Sequence, residues 1–162
     1  TLGFPNDEVK NGFLRFIYSY YVPVNPAEGN TTTSKMARAL RAGKPDEFMK
    51  ILDVIFSGVT YQIEINSERS FQQAMYIIME LLGEYVEAER HTSNGRIDLL
   101  LQTKDYIYIV ELKIDNTADA ALQQIEDKGY AKPFSNDPRK IFKIGVSFST
   151  ANRRIEEWKV VE

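Results

Sequence analysis

"GRIDLLLQTKDYIYIVELKI", residues 95–114, sets two apolar runs on either side of a short polar break and places three ionisable residues, Asp98, Glu111 and Lys113, inside them. The runs are short, rich in Ile, Leu, Val and Tyr, and bounded by turn residues, so they read as strands over "GRIDLLLQ" and "YIYIVELKI" with a turn at "TKD". The second run is apolar at nearly every position up to Val110, which marks a strand covered on both faces. Glu111 and Lys113 stand two apart there and so share a face. If the turn is a two-residue hairpin at Lys104-Asp105, Thr103 faces Tyr106, Asp98 lies opposite Glu111, and Arg96 lies opposite Lys113. A three-residue loop would shift the pairing by one and turn Asp98 to the other face. Carboxylates directly opposed across two strands destabilise a sheet, so the first register asks for a compensating cation, either Lys113 or a bound metal. The plain alternative is a strand end reached by water, where Glu111 pairs with Lys113 or Arg96.

Working outward, "EYVEAERH" reads as a strand that meets "GRIDLLLQ" through an "SNG" turn. Before it, "SERSFQQAMYIIMELLG" has Phe71, Met75, Ile78 and Leu82 on one stripe; it reads as a helix capped by Asn66 or Ser67 and stopped by Gly83. After the central pair, a helix is expected over roughly Ala118 to Ala131. "KIFKIGVSFS" is a final apolar strand, and "RIEEWKVVE" adds one at the edge. The first 65 residues are helical in pattern. One helix follows Asn6 with Val9, Phe13, Phe16, Ile17 and Tyr20 at helical spacing, "PVNPAEGNTTTS" breaks it, "TSKMARALRAG" ends at Gly43, and "PDEFMKILDVIFSG" runs from Pro45 to Gly58. The expected organisation is a helical subdomain, 1–65, ahead of an α-β-β-β-α-β core of the α/β class, 66–162.

Composition limits the chemistry. The chain has 162 residues, no cysteine and one histidine, His91. That removes disulfides, thiolate metal sites and multi-histidine zinc sites, and leaves carboxylates, Lys, Tyr and Gln as the catalytic kit. Any metal is therefore expected to be hard and bound through oxygen. A formal charge of -3 means that a nucleic-acid partner would have to be met by local basic groups or a metal ion. No stretch approaches the roughly 18 apolar residues of a membrane helix, so no membrane partner is expected. With no cysteine and no signal-peptide pattern, the cytoplasm is the expected location. The chain opens on Thr1 rather than Met, which suggests a piece of a longer protein.

Two strand carboxylates with a lysine beside them suit divalent-metal phosphodiester hydrolysis: the oxygens hold the ion, and the ammonium orients water and stabilises developing charge. "GRID" followed by "IVELK" resembles the PD-(D/E)XK nuclease signature, an acid on one strand and acid-x-lysine on the next. The likeness is nearer to the bacterial branch in which this domain follows an AAA-ATPase-like domain. Glu68 on its helix, "ERHTSNGRID", "ELK" and "ALQQIEDKGY" match that branch's motifs in order over roughly residues 66–131, and "GFPNDEV" resembles its linker. The resemblance implies a restriction-endonuclease-like core and a nuclease dependent on Mg2+ or Mn2+, acting on nucleic acid with DNA the expected substrate. An ATPase-like domain would precede it in the same chain.

Carried over by position, the resemblance implies that Asp98 and Glu111 bind metal with Glu68 contributing from the helix, that Lys113 acts on the attacking water, and that Gln124 and Tyr130 line the site. Ile97 stands where the superfamily name has proline, and Gln72 where many relatives have histidine. Plainer roles exist for the accessories. Glu68 suits a first helical turn in any case, Gln124 is an ordinary helix residue, and Tyr130 can cover a sheet edge. Arg96 reads as a carboxylate's partner or a phosphate contact, Glu89 as locally paired, and His91 as a solvated turn residue. The competing reading is a nuclease-fold module that no longer turns over and acts as a binding or regulatory partner to the ATPase-like portion.

Overall fold

The structure is a computed structural model that describes residues 32–62, 65–80 and 85–162, with the side chains of 34–57, 65–76, 78 and 90–162. The helix expected after Asn6, the stop at Gly83, the contribution of Leu82 to its stripe and the pairing of Glu89 lie outside what is described.

The central hairpin sets the register. Thr103 N–H donates to the Tyr106 carbonyl at 2.9 Å, and Tyr106 N–H donates to Thr103 Oγ1 at 3.0 Å, which closes a two-residue turn at Lys104-Asp105. Strands β2 (Gly95–Gln102) and β3 (Tyr106–Ile114) then pair antiparallel, Gln102 with Ile107 through to Leu99 with Val110. Counted on, this register brings Asp98 level with Glu111, but the pairing ends at Leu99. Leu112 N–H donates instead to Asp98 Oδ2, at 3.0 Å. The side-chain alternation of β2 breaks at the same place. Ile97 and Leu99, two apart and so due on one face, pack in opposite cores. Strand β2 turns over and parts from β3 at Asp98.

The sheet grows outward in the order β1-β2-β3-β4-β5. β1 (Tyr85–Thr92) is antiparallel to β2. β4 (Lys140–Ser149) is parallel to β3, with Glu111 beside Gly145, and β5 (Arg154–Val161) is antiparallel to β4 at the edge. Among the described residues three helices precede the sheet: α1 (Thr32–Arg41), α2 (Pro45–Gln62) and α3 (Glu68–Glu80). A fourth, α4 (Ala118–Lys128), crosses from β3 to β4 and is followed by a short 3-10 turn, Lys132–Phe134. This is the mixed α/β sheet flanked by helices that the sequence predicts. Among the described residues no helix is long and apolar enough to cross a membrane.

Each face of the sheet carries its own core. On one, Met36, Leu40, Phe48, Leu52, Phe56, Phe71 and Met75 from α1–α3 meet Leu99, Tyr108, Val110, Leu112, Val146 and Phe148. Tyr108 reaches through this layer to donate to the Leu40 carbonyl at 2.6 Å, so α1 and the sheet share one core. On the other face, Ile125, Tyr130 and Phe134 cover Ile97, Leu100, Ile107 and Ile109. A full set of buried large side chains on both faces explains why β3 is apolar without alternation.

Two helix ends differ from expectation. Helix α2 runs through Gly58 to Gln62, because one interior glycine costs a helix only about 1 kcal/mol. Helix α4 stops at Lys128 rather than Ala131: Gly129 takes a left-handed φ of 61°, and Tyr130 N–H turns back to the Ile125 carbonyl at 3.1 Å. Such a cap reverses the chain after the helix. Here it returns Tyr130 to the sheet.

Candidate metal and catalytic centre

The point where β2 leaves β3 is the floor of an open polar cleft of about 610 Å³ whose lining includes Glu68, Asp98, Glu111, Lys113, Gln124 and Tyr130. All six residues singled out from the sequence border this one cleft. Arg96, Thr92 and His91 form its rim on the β1–β2 hairpin. His91 lies in strand β1 opposite Arg96 rather than in the turn, since β1 extends to Thr92 and the turn is confined to Ser93-Asn94.

Glu111 is the most enclosed of these groups, 1 % exposed. Its Oε1 accepts a hydrogen bond from Gln124 Nε2 and lies 3.6 Å from Lys113 Nζ. Its Oε2 is buried and has no protein partner. Burial, reinforced by the Asp98 charge and opposed by Lys113, pushes the Glu111 carboxyl up to about 8. Asp98 is also raised, first by burial, against the Leu112 N–H and the Lys113 charge, with Glu68 adding repulsion. The two carboxyls are near enough to share a hydrogen bond when one is protonated. This is the behaviour of like charges forced together in a poorly solvated place.

Gln124 reaches Glu111 because α4 lies unusually close to the sheet. A Cβ on Gly145, the β4 neighbour of Glu111, would stand 2.3 Å from the Ala118 carbonyl oxygen and 3.1 Å from Ala121 Cβ. The helix start is fixed there as well: Thr117 Oγ1 caps Ala120 N–H at 3.1 Å, and Glu157 from β5 accepts from Ala118 N–H at 3.2 Å. At the other end of α4, Tyr130 Oη accepts from Arg96 N–H at 3.2 Å. Its hydroxyl oxygen thus braces the start of β2.

Glu68 stands apart from the carboxylate pair. It is 54 % exposed and comes only within 4.0 Å of Lys113 Nζ. Ser67 caps its helix, accepting from Ser70 N–H at 3.1 Å, while Ser67 N–H donates back to Ser70 Oγ at 3.1 Å. Among the described residues no three His, Asp or Glu side chains form a ready-made metal cage. The residues still suit a hard ion. Mg2+ is commonly held by one or two carboxylates, with water and substrate phosphate filling the remaining positions. The unpartnered Glu111 Oε2 and the raised carboxyl pair are an oxygen donor set that Lys113 offsets only in part.

Gln72 was not among the residues assigned a role from the sequence. It is buried on α3, one turn beyond Glu68, and its Nε2 donates to the Asp98 carbonyl at 2.9 Å, with Asp98 Oδ1 at 3.5 Å. The i, i+4 spacing from Glu68 and the histidine that many relatives carry at this position were the signals available.

A mixed sheet carrying acid, acid and lysine where two strands part defines a restriction-endonuclease-like fold. A model of the PD-(D/E)XK nuclease superfamily matches residues 66–158, more than half of the chain, and the chain belongs to that superfamily. A protein of Azotobacter chroococcum mcd 1, described as an "Uncharacterized protein in vnfD 5'region", is 29% identical over 161 residues. The alignment covers 95% of this chain and 31% of that relative, so the chain spans about a third of the relative's length. No solved structure matches the chain at a significant level.

Proposed function

We propose that residues 66–162 form a metal-dependent nuclease domain that hydrolyses DNA phosphodiester bonds with water as the nucleophile, the helices of 1–65 supporting it. The observation that carries this is the pairing of Asp98 with a Glu111 whose Oε2 is buried and unpartnered, with Lys113 Nζ 3.6 Å from the same carboxylate. Asp98 and Glu111 are the residues that would hold Mg2+ or Mn2+. The ion would supply Lewis-acid polarisation of the phosphate and of the attacking water.

This chain's own groups do the rest. Lys113 is 15 % exposed in its side chain and lies between Glu111 and Glu68, so its ammonium is directed into the cleft to orient water and offset charge on the phosphate. Gln124 fixes the Glu111 oxygen that faces Lys113. Glu68 acts on Lys113 at the distance seen and would join the ion only by turning away from it. Arg96 and His91 line the same cleft and in this reading would meet the sugar-phosphate backbone of the substrate.

The test incubates the protein with single- and double-stranded DNA and RNA in Mg2+, Mn2+ or EDTA, with Lys113→Ala alongside. Metal-dependent cleavage that falls at least about 100-fold in the variant is expected. Absence of both cleavage and calorimetric Mn2+ binding would refute the reading and leave the silent, regulatory module allied to an ATPase-like domain.

A further inference from the structure

Asp98 occupies a position where ordinary sheet pairing has ended, and backbone polar groups of a buried strand need partners wherever they lie. Beyond Leu99 the β3 ladder offers none to β2, because Leu112 N–H is spent on the Asp98 carboxylate. The Asp98 carbonyl takes its hydrogen bond from Gln72 Nε2 at 2.9 Å, and the same nitrogen lies 3.5 Å from Asp98 Oδ1. Gln72 comes from the helical layer on one face of the sheet, whereas Gln124 comes from the helix on the other. Gln124 holds the Glu111 carboxylate itself, and Gln72 holds the Asp98 backbone, with a longer contact to its carboxylate. Resting on the nuclease reading of the site, we infer that Gln72 is a positioning residue that holds Asp98 at the strand opening, so that its carboxylate meets Glu111 across the metal position.

The chemistry of the side chain supports this. A glutamine is a neutral donor and adds no third charge to a carboxylate pair already short of counter-charge. Its 4 % exposure excludes water as a ready substitute. Without it the Asp98 carbonyl loses its donor, and the carboxylate keeps the Leu112 N–H but loses its contact with the helical layer.

Gln72→Leu keeps the bulk and deletes the donor, and Gln72→His returns a ring N–H at similar reach. Three quantities are compared with the wild type: the 13C resonance of the Asp98 carboxyl in metal-free protein, the Mn2+ dissociation constant by calorimetry, and Tm. In Gln72→Leu the resonance is expected to move and the dissociation constant to rise about 10- to 100-fold, the usual size for losing a partner behind a metal ligand. Gln72→His should recover both. If Gln72→Leu does not fold, Gln72→Met takes its place. If neither folds, Gln72→Asn, whose amide falls one methylene short, is judged by the same resonance. An Asp98 resonance that stays in place in a folded donor-deficient variant overturns the inference. So does a lower Tm with resonance and affinity unchanged, since that describes packing alone. Failure of the wild-type protein to bind Mn2+ would refute the nuclease reading separately, and the Asp98 resonance would still decide the role of Gln72.

Discussion

Glu111→Gln should stabilise the metal-free protein at alkaline pH, although it removes a charge from the candidate centre. A carboxyl raised from a usual 4.5 to about 8 keeps its proton in the folded chain over a range where the unfolded chain has lost it. The stability linked to this proton is therefore complete below about 4.5, falls as pH rises through that window, and is gone above about 8. Each pH unit of separation is worth about 1.4 kcal/mol, which sets a ceiling of about 5 kcal/mol. The cleft opens to water, so rearrangement relieves part of the burial, and a difference of about 2–4 kcal/mol is expected. The amide needs no proton, which removes the slope. Denaturant unfolding in EDTA from pH 5 to 9 would show wild-type stability declining and that of Glu111→Gln nearly level. Other titrating groups cancel in the difference, apart from Asp98, whose like-charged neighbour is gone. Mn2+ at 100 times its dissociation constant should restore about 2.7 kcal/mol to the wild type at pH 8, and much less to the variant. Parallel pH profiles for the two proteins would refute the reasoning, because Glu111 would then be ionised in the fold and satisfied by Lys113.

Two further substitutions test the supports of the site. Gly145→Ala sets a methyl 2.3 Å from the Ala118 carbonyl oxygen; a backbone atom cannot swing aside, so α4 must lift. The expected loss is about 1–3 kcal/mol in denaturant unfolding, with weaker Mn2+ binding as Gln124 withdraws from Glu111; unchanged stability would show that α4 is not seated on Gly145. Tyr130→Phe removes the acceptor of Arg96 N–H and should cost about 1 kcal/mol while speeding amide exchange at Arg96. Unaltered exchange there would mean that the hydroxyl does not brace β2.

How much the sequence revealed followed from how local each cause is. The β2–β3 register was legible because a two-residue turn fixes it, and the observed pairing of Leu99 with Val110 follows from Thr103 facing Tyr106. The strand bounds at 95–102 and 106–114 followed from burial of β3 on both faces, written directly into "YIYIV". The end of α4 was misplaced by three residues, although Gly129 was visible, because a lone glycine tolerates either a helix interior or a left-handed cap. Gly58 was misread in the opposite sense for the same reason. The role of Gln72 was out of reach. Its partner is the Asp98 carbonyl, 26 residues on, and that carbonyl needs a side-chain donor only because β2 parts from β3, an event no local pattern records.

That parting also explains why charged groups stand in a strand pair otherwise built of aliphatics. In a closed ladder Asp98 and Glu111 would face each other directly with nothing between, at a net cost. Opening the ladder at Leu99 moves Leu112 N–H onto Asp98 Oδ2 and lets helices on opposite faces each supply an amide, Gln72 to Asp98 and Gln124 to Glu111. Both amides are neutral donors, so they fix the Asp98 backbone and the Glu111 carboxylate without cancelling the charge of the pair. Lys113 stands 3.6 Å from Glu111 Oε1, while Oε2 has no hydrogen-bond partner among the described residues. A pair assembled for stability alone would be served by a second basic side chain at that oxygen. Holding both carboxylates rigid while leaving the pair short of positive charge costs the metal-free fold stability. It is also the arrangement in which a divalent ion has the most to gain.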